Sequence, residues 1–328
     1  MDPDVTILRT LQEAGPTGYV SGEDLARSLK ISRTAVWARI DELRKAGLHI
    51  LAVPNLGYRL DSHDDVLIAA HLRSRLQTQR IGHKILVFRE TASTQDLVGK
   101  LAREGAPEGL VVFAESQKKG RGRLGRAWSS PPGSGLWFSA LLRPPWPPSA
   151  VTRLTAVFSV AIARAIEAET PVRAHIKYPN DILCGDRKLC GILTELHTEI
   201  DRVDYAVVGV GLNVNATVRD FPAPLRSLAT SLRLESGEPL LRARLAVRIL
   251  QELDALYAQS LAGGFPTIAE EWSRRCSTLH KKITVTRGGT HRISGTATGI
   301  DEDGSLLIRH DSGRIEAIHG GDLTVEKP

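Results

Sequence analysis

The spacing of apolar residues changes twice along this 328-residue chain, and each change limits the folds available to it. Residues 5–47 repeat apolar positions at helical intervals, and residues 82–278 alternate strand-like with helical runs. Residues 280–326 follow the two-residue period of strands. Because each pattern needs its own way of burying an apolar face, the chain is predicted to be an α+β protein of three domains. The length suits two or three domains of roughly 100–200 residues.

The first sixty residues have the element order of a winged helix-turn-helix. Val5, Leu8 and Leu11 mark an amphipathic helix, and Ser21 and Ser32 are placed as N-caps of two further helices. The stretch "LHILAVPNLGYRL" then predicts a hairpin around "PNLG". In such a domain the second helix of the pair enters the major groove with its N-terminal residues first. The predicted DNA contacts are Ser32, Arg33, Thr34, Trp37 and Arg39.

Charge gives only weak support to DNA binding. Residues 1–60 hold eight Lys or Arg against seven Asp or Glu, and the whole chain has a formal charge of +6. DNA binding usually relies on neutralising phosphates with a clear excess of positive charge, which this region lacks. The alternative is that the predicted contact residues are only the solvent-exposed face of an ordinary helical domain. A homodimer that presents two reading helices doubles the contacts and meets this objection.

Composition argues against several classes of protein. The three cysteines (Cys184, Cys190 and Cys276) form no C-x-x-C pair, so neither a disulfide framework nor a zinc site is indicated. The N-terminus carries acidic residues without a long apolar run, which is unlike a signal peptide. No stretch is expected to approach the roughly 18 apolar residues of a membrane span. We therefore expect a cytoplasmic protein that does not bind membranes.

A basic loop follows a strand-like run in the middle of the chain. "KKGRGRLGRAW" (residues 118–128) holds five Lys or Arg and three Gly. Glycine lets backbone N–H groups approach an anion, and guanidinium forks match phosphate and carboxylate geometry. The stretch is neither a Walker loop nor a Rossmann fingerprint. Its composition alone fits a solvated loop as well as an anion cradle.

A second polar cluster favours the anion cradle. "IKYPNDILCGDRKLCGILTEL" (residues 176–196) reads as a hairpin with Lys177, Asn180 and Asp181 at one turn and Lys188 after the other. A carboxylate that can hold Mg²⁺, an arginine loop and a lysine are the groups needed to handle a nucleoside triphosphate together with an acid.

These stretches together resemble the biotin protein ligase family. The resemblance is carried by "GRGRLGRAWSSPPGSGLWFS", by "KYPND" with "RKLCGIL", and by "GVGLNVN". The winged helix makes the chain similar to the bifunctional biotin operon repressors over essentially its whole length. The resemblance implies a class II synthetase-like mixed sheet and the formation of biotinyl-5′-AMP from biotin and ATP. It also implies biotin transfer to a lysine of the biotin carboxyl carrier protein of acetyl-CoA carboxylase, operator binding, and a homodimer when the adenylate is bound.

The resemblance further implies a set of site residues. Biotin contacts fall on Ser93, Thr94, Gln95, Gln117, Arg121, Gly122, Arg123 and Lys188, with glutamine at position 95 where the family has asparagine. Nucleotide contacts fall on Arg121, Arg123, Arg126, Trp128, Lys177, Asn180, Asp181 and Asn213. Lys188, Arg121 and Arg123 are expected to be catalytic because cations screen the two anions that must react. Asp181 is the candidate Mg²⁺ ligand.

The tail is predicted to form a small SH3-like β-barrel from short strands parted by "GG", "DEDG" and "DSG". The predicted domains are a winged helix-turn-helix at 1–64, a catalytic biotin- and ATP-binding domain at 65–278, and the SH3-like domain at 279–328. Two other functions stay open. One is a DNA-binding sensor of biotin or nucleotide without ligase activity. The other is a lipoate–protein ligase, but the basic loop and the winged helix argue against it.

Overall fold

The computed structural model of the chain describes residues 2–61, 65–199, 202–287, 291–318 and 322–325. Within these residues the strands form a two-stranded hairpin, a seven-stranded sheet and a five-stranded sheet, in chain order. The predicted sequence of a helical region with a hairpin, a central α/β region and a small β region is therefore confirmed.

The N-terminal region consists of α1 (Pro3–Glu13), α2 (Gly22–Leu29), α3 (Arg33–Lys45), β1 (Ile50–Val53) and β2 (Gly57–Leu60). The Ser21 hydroxyl accepts the Asp24 N–H, and the Ser32 hydroxyl accepts the Ala35 N–H, so both predicted N-caps are confirmed. The three helices share a buried core that includes Leu8 and Ile40. This is the predicted winged helix-turn-helix.

Helix α4 (Ala69–Arg75) packs the N-terminal region onto the central one. Gln12 Nε2 donates to Ser74 Oγ at 2.9 Å, and Arg73 forms an ion pair with Asp2 at 3.0 Å. Leu72, on the same helix, is fully buried in the central core. The two regions are thus joined by packing as well as by the chain.

The central sheet has the order β3-β4-β5-β9-β8-β7-β6, with β3 parallel to β4 and the other described pairs antiparallel. The strands are β3 (Lys84–Phe88), β4 (Leu110–Ala114), β5 (Gly135–Leu142), β6 (His175–Lys177), β7 (Asp181–Cys184), β8 (Arg187–Glu199) and β9 (Arg202–Asn213). The predicted mixed sheet is confirmed. Strand β5 was not predicted as a separate strand.

Helices cover both faces of this sheet. Helix α5 (Thr94–Arg103) packs on one face over Leu110 and Val112, while α6 (Thr152–Glu169) and α8 (Arg242–Leu261) pack on the other over Val111 and Phe113. Because neighbouring residues of β4 point to opposite faces, one apolar strand serves both cores. Helix α7 (Leu232–Ser236) precedes α8, and α9 (Phe265–Arg275) follows it.

Helix α6 corrects one prediction. Residues 148–169 reach a mean hydropathy of 1.4 and are long enough to cross a membrane by length and composition. The helix is mostly buried inside the central domain, from Leu154 to Ile166, as the core helix of a water-soluble fold is. Burial under the sheet therefore explains its apolar composition.

The C-terminal region is an antiparallel sheet of order β13-β12-β11-β10-β14. Its strands are β10 (Lys282–Arg287), β11 (His291–Ile300), β12 (Leu306–Arg309), β13 (Ile315–Ile318) and β14 (Asp322–Val325). It contacts the central domain where Tyr178 Oη donates to the Ile318 carbonyl at 2.9 Å and where Arg153 pairs with Asp303 at 2.8 Å. The predicted small β-domain is confirmed.

Candidate functional site

A cavity of about 420 Å³ lies between the loop of residues 117–130, the start of α5, and strands β8 and β9. We call residues 117–130 the glycine–arginine loop. The predicted residues that line the cavity are Ser93, Thr94, Gln95, Gln117, Arg121, Gly122, Arg123, Arg126, Trp128, Asn180, Asp181, Lys188 and Asn213. Lys177 does not line it and stands half-buried on β6 at the edge of the sheet.

The glycine–arginine loop folds back on itself over the cavity. The Trp128 N–H donates to the Gly120 carbonyl at 2.9 Å, and the Gly122 N–H donates to the Arg126 carbonyl at 2.8 Å. A short 3-10 turn between these bonds exposes Leu124 at the tip with a φ of 57°. The loop therefore has its own hydrogen-bonded shape instead of being an extended basic tract.

Two arginines of the loop are held by side chains from the sheet and from α5. Arg121 pairs with Asp96 at 2.6 Å and with Glu195 at 3.0 Å, and Arg123 Nη1 donates to Asn180 Oδ1 at 3.2 Å. Neither carboxylate was predicted from the sequence. The two-residue period of β8 could have indicated Glu195, since Gly191 on the same face lines the cavity. Asp96 has no such signal.

A chain of polar side chains forms the floor of the cavity. The Thr94 N–H donates to Gln117 Oε1 at 2.9 Å, and Thr94 Oγ1 lies 2.8 Å from Ser139 Oγ. Ser139 donates to Gln95 Oε1 at 3.1 Å, and Gln95 Nε2 donates to the Val207 carbonyl at 2.9 Å. Both ends of the Gln95 amide are thus bound to the protein.

Gly209 makes room for glutamine at position 95. A Cβ atom at Gly209 would lie 2.4 Å from Gln95 Oε1, so any larger residue at 209 would displace the amide. The Gln95 side chain fits because β9 has a glycine, without a side chain, at the position that faces it.

Lys188 stands at the opposite wall between a carboxylate and an indole. Its Nζ lies 2.7 Å from Asp181 Oδ1 and 5.3 Å from the centre of the Trp128 ring. Trp128 in turn lies flat against the backbone of β9, where a Cβ at Gly211 would come within 2.4 Å of the indole. Lys188 and Asp181, which the sequence placed in one predicted hairpin, are therefore in direct contact.

The segment 218–230 supports this wall from behind. The Lys188 N–H donates to the Leu228 carbonyl at 2.8 Å, and Asn213 Nδ2 donates to the Thr230 carbonyl at 2.9 Å. Leu225 and Leu228 line the cavity while remaining largely exposed. Asn213 thus acts at least as an anchor of this segment.

The chemistry available is that of fixed charges. Burial raises the pKa of the Cys190 thiol next to Lys188, so this cysteine is a neutral side chain without nucleophilic character. Among the residues that the structure describes, no group of three or more His, Cys, Asp or Glu side chains could hold a metal. Asp181 offers one carboxylate, which suits Mg²⁺ bound mainly through substrate phosphates.

The predicted DNA-contacting residues lie together on α3, away from the cavity. Ser32, Arg33, Thr34, Trp37 and Arg39 are all exposed, and Trp37 keeps 55% of its surface accessible. Arg39 pairs with Asp4 at 3.4 Å. An exposed tryptophan on a helix that carries its own N-cap indicates a contact surface.

Comparisons with known proteins agree with the division into an N-terminal, a central and a C-terminal region. Residues 6–59 match the HTH domain, residues 87–213 the biotin/lipoate A/B protein ligase family, and residues 278–323 the biotin protein ligase C terminal domain. The bifunctional ligase/repressor BirA of Bacillus subtilis is 37% identical over 97% of each chain. The biotin–[acetyl-CoA-carboxylase] ligase of Mycobacterium tuberculosis is 31% identical over 72% of this chain and 87% of its own. The biotin protein ligase of Aquifex aeolicus, solved with biotin and ATP, is 28% identical with a TM-score of 0.64, covering 75% of this chain and 100% of that one.

Proposed function

The chain belongs to the biotin protein ligases, in the group whose members are both ligase and repressor, and we propose that its cavity is where biotin reacts with ATP. It is a biotin–[acetyl-CoA-carboxylase] ligase with a DNA-binding repressor domain at its N-terminus. The proposal concerns which residues carry out the two functions.

The observation that carries the proposal is that cations from two separate segments of the chain line one cavity. Arg121 and Arg123 come from the glycine–arginine loop, and Lys188 comes from the hairpin of β7 and β8. Biotin is a carboxylate and ATP a polyphosphate, so the reacting groups repel each other in water. Preorganised cations in a partly dry cavity reduce that repulsion and stabilise the charge of the transition state.

The first reaction joins these two anions. A biotin carboxylate oxygen attacks the α-phosphorus of ATP, the new C–O–P linkage forms, and the bond from that phosphorus to pyrophosphate breaks. Arg123 and Lys188 both line the cavity, where they can neutralise the carboxylate and the α-phosphate. Asp181 is the carboxylate that would hold a Mg²⁺ ion bound with ATP, and such an ion would supply charge neutralisation for the pyrophosphate.

The second reaction transfers the biotinyl group. The amine of a lysine on the biotin carboxyl carrier protein attacks the acyl carbon, a C–N bond forms, and AMP leaves as the C–O bond breaks. Because the anhydride is labile in water, the glycine–arginine loop and segment 218–230 must retain it until the carrier arrives. Leu228 lines the cavity and is exposed, and Leu124 is exposed at the tip of the glycine–arginine loop.

The repressor function is assigned to α3 in an adenylate-bound homodimer on operator DNA. The exposed residues Ser32, Arg33, Thr34, Trp37 and Arg39 supply the contacts. We propose domain limits of 1–64, 65–278 and 279–328, and a cytoplasmic location where ATP and the carrier are present.

The test is biotin-dependent exchange of labelled pyrophosphate into ATP. We expect exchange with biotin and none with lipoate. Lys188→Ala should reduce the rate by about 100-fold, the usual effect of removing one charge-stabilising donor. Lys100→Ala, at an exposed ion pair on α5, is the control and should exchange at the rate of the unaltered chain. Biotin binding without exchange would leave the chain a sensor, and exchange with lipoate would reassign the substrate.

A further inference from the structure

We propose that Arg242 and Asp65 are positioning residues that tie the segment following the DNA-binding region to both ends of the glycine–arginine loop. Through this junction the order of the loop and the affinity for DNA influence each other. The inference rests on the proposed ligase and repressor function for its DNA-binding consequence, but its effect on the loop can be measured separately.

Arg242 is a buried cation at the start of α8 with two carboxylate partners. Its side chain is only 4% exposed. Nη1 donates to Glu115 Oε2 at 2.7 Å, and Nε donates to Asp65 Oδ2 at 2.9 Å. The backbone N–H of Arg242 also donates to Asp65 Oδ1 at 2.6 Å. A buried arginine with this number of directed bonds has a single available position.

The first partner, Glu115, places the junction at the base of the glycine–arginine loop. Glu115 directly follows β4 and stands two residues before Gln117, a predicted biotin contact. Its Oε2 also accepts the Gly133 N–H at 3.3 Å, and Arg242 Nη1 donates to the Gly135 carbonyl at 3.4 Å. Gly133 and Gly135 lie just beyond the far end of the loop. One guanidinium therefore holds both ends together.

The second partner, Asp65, places the junction at the DNA-binding region. Asp65 lies between β2 and α4, and Arg242 Nη2 also donates to its carbonyl at 3.2 Å. The next residue, Val66, packs against Gly47 at the end of α3, where a Cβ would lie 3.3 Å from Val66 Cγ1. The DNA-reading helix is thus connected to the ligand loop through Val66, Asp65, Arg242 and Glu115 in turn.

Coupling through such a junction is reciprocal. If ligand binding orders the loop, Glu115 and Arg242 are held more firmly, and so is the segment that positions α3. DNA binding must then raise the affinity for the ligand by the same factor by which the ligand raises the affinity for DNA. The arginine of the junction is buried and its two carboxylates are half-buried, so one partner cannot shift alone without leaving a carboxylate unpaired.

The test uses the full chain with Asp65→Asn. This change removes a charge but keeps the size of the side chain and leaves the pair of Arg242 with Glu115. Arg242 itself is unsuitable, because its removal leaves two half-buried carboxylates without their shared cation and risks unfolding. Glu104→Gln is the charge-matched control at an exposed pair, and Gln12→Leu is a control that breaks a different contact between the regions.

The first measurement is the rate of tryptic cleavage within residues 118–126 in the absence of ligand. We expect Asp65→Asn to be cleaved about threefold faster or more, and both controls to match the unaltered chain. The second is the ratio of affinities, with and without biotinyl-5′-AMP, for a DNA fragment selected from a random pool by the unaltered chain. Asp65→Asn should lower this ratio about threefold or more toward 1.

Cleavage at the unaltered rate in Asp65→Asn would overturn the inference, whether or not the chain proves to be a ligase. The inference would also be overturned if Gln12→Leu lowered the affinity ratio as much as Asp65→Asn does. That result would assign the coupling to the general packing of the N-terminal region on the central one. Absent biotin-dependent pyrophosphate exchange in the unaltered chain would count against the proposed function alone.

Discussion

Replacing Gly211 with alanine should misplace the wall of the cavity without disturbing the fold. The new Cβ would lie 2.4 Å from both Nε1 and Cε2 of Trp128, whereas ordinary contact begins at 3.4 Å. The indole must therefore move by about 1 Å, and Lys188, which stands over that ring, loses its support. A displacement of about 1 Å at a reacting centre can cost up to 100-fold in rate.

We expect Gly211→Ala to lower kcat/KM of biotin-dependent pyrophosphate exchange by about 10- to 100-fold, equivalent to about 1.4–3 kcal/mol of transition-state stabilisation. The free energy of unfolding, measured in urea, should change by less than about 1 kcal/mol because β9 tolerates alanine. Gly299→Ala, where the added Cβ meets no atom within 4 Å, is the matched control. A folded Gly211→Ala protein with unaltered kcat/KM would refute the reasoning.

Three further predictions follow from other contacts. Arg123→Gly removes the bond to Asn180 and should speed adenylate release about 10- to 100-fold, seen as biotin on the lysines of added serum albumin; retention at the original rate would contradict this. Trp37→Ala should weaken binding to the selected DNA about tenfold by fluorescence anisotropy, and equal affinity would remove Trp37 from the DNA surface. Hydrogen bonding from Arg164 lowers the pKa of Glu271 below its usual 4.5, so the pair stabilises the folded state above that pH and the benefit is lost as pH falls through the lowered value. Glu271→Gln should therefore unfold in less urea than the unaltered chain at about pH 7, with the difference shrinking as the pH falls below 4.5, and a difference independent of pH would be inconsistent with the pair.

Features set by local chemistry were predictable from the sequence. Ser21 and Ser32 cap helices because short hydroxyl side chains satisfy free N–H groups nearby, and the hairpin after α3 follows from its turn residues. The approach of Lys188 to Asp181 was also predictable, since both belong to one hairpin.

Contacts between distant parts of the chain were not predictable. The pair of Arg242 with Glu115 spans 127 positions, and that of Arg121 with Glu195 spans 74. No local pattern selects these partners, because packing of whole elements brings them together. Lys177 was grouped with the site by its motif; it stands on β6 and does not line the cavity, and its contact with the nucleotide stays a prediction.

Helix α4 and the two residues before it contribute to two cores at once. Ile68 and Ala70 pack against the interior of the winged domain, while Leu67 and Leu72 are buried with the catalytic sheet. Cutting the chain after residue 61 to obtain a ligase without its DNA reader would strip one side of this helix bare. A monofunctional enzyme made from this protein would consequently need new polar residues at positions 68 and 70 before it could stay dissolved.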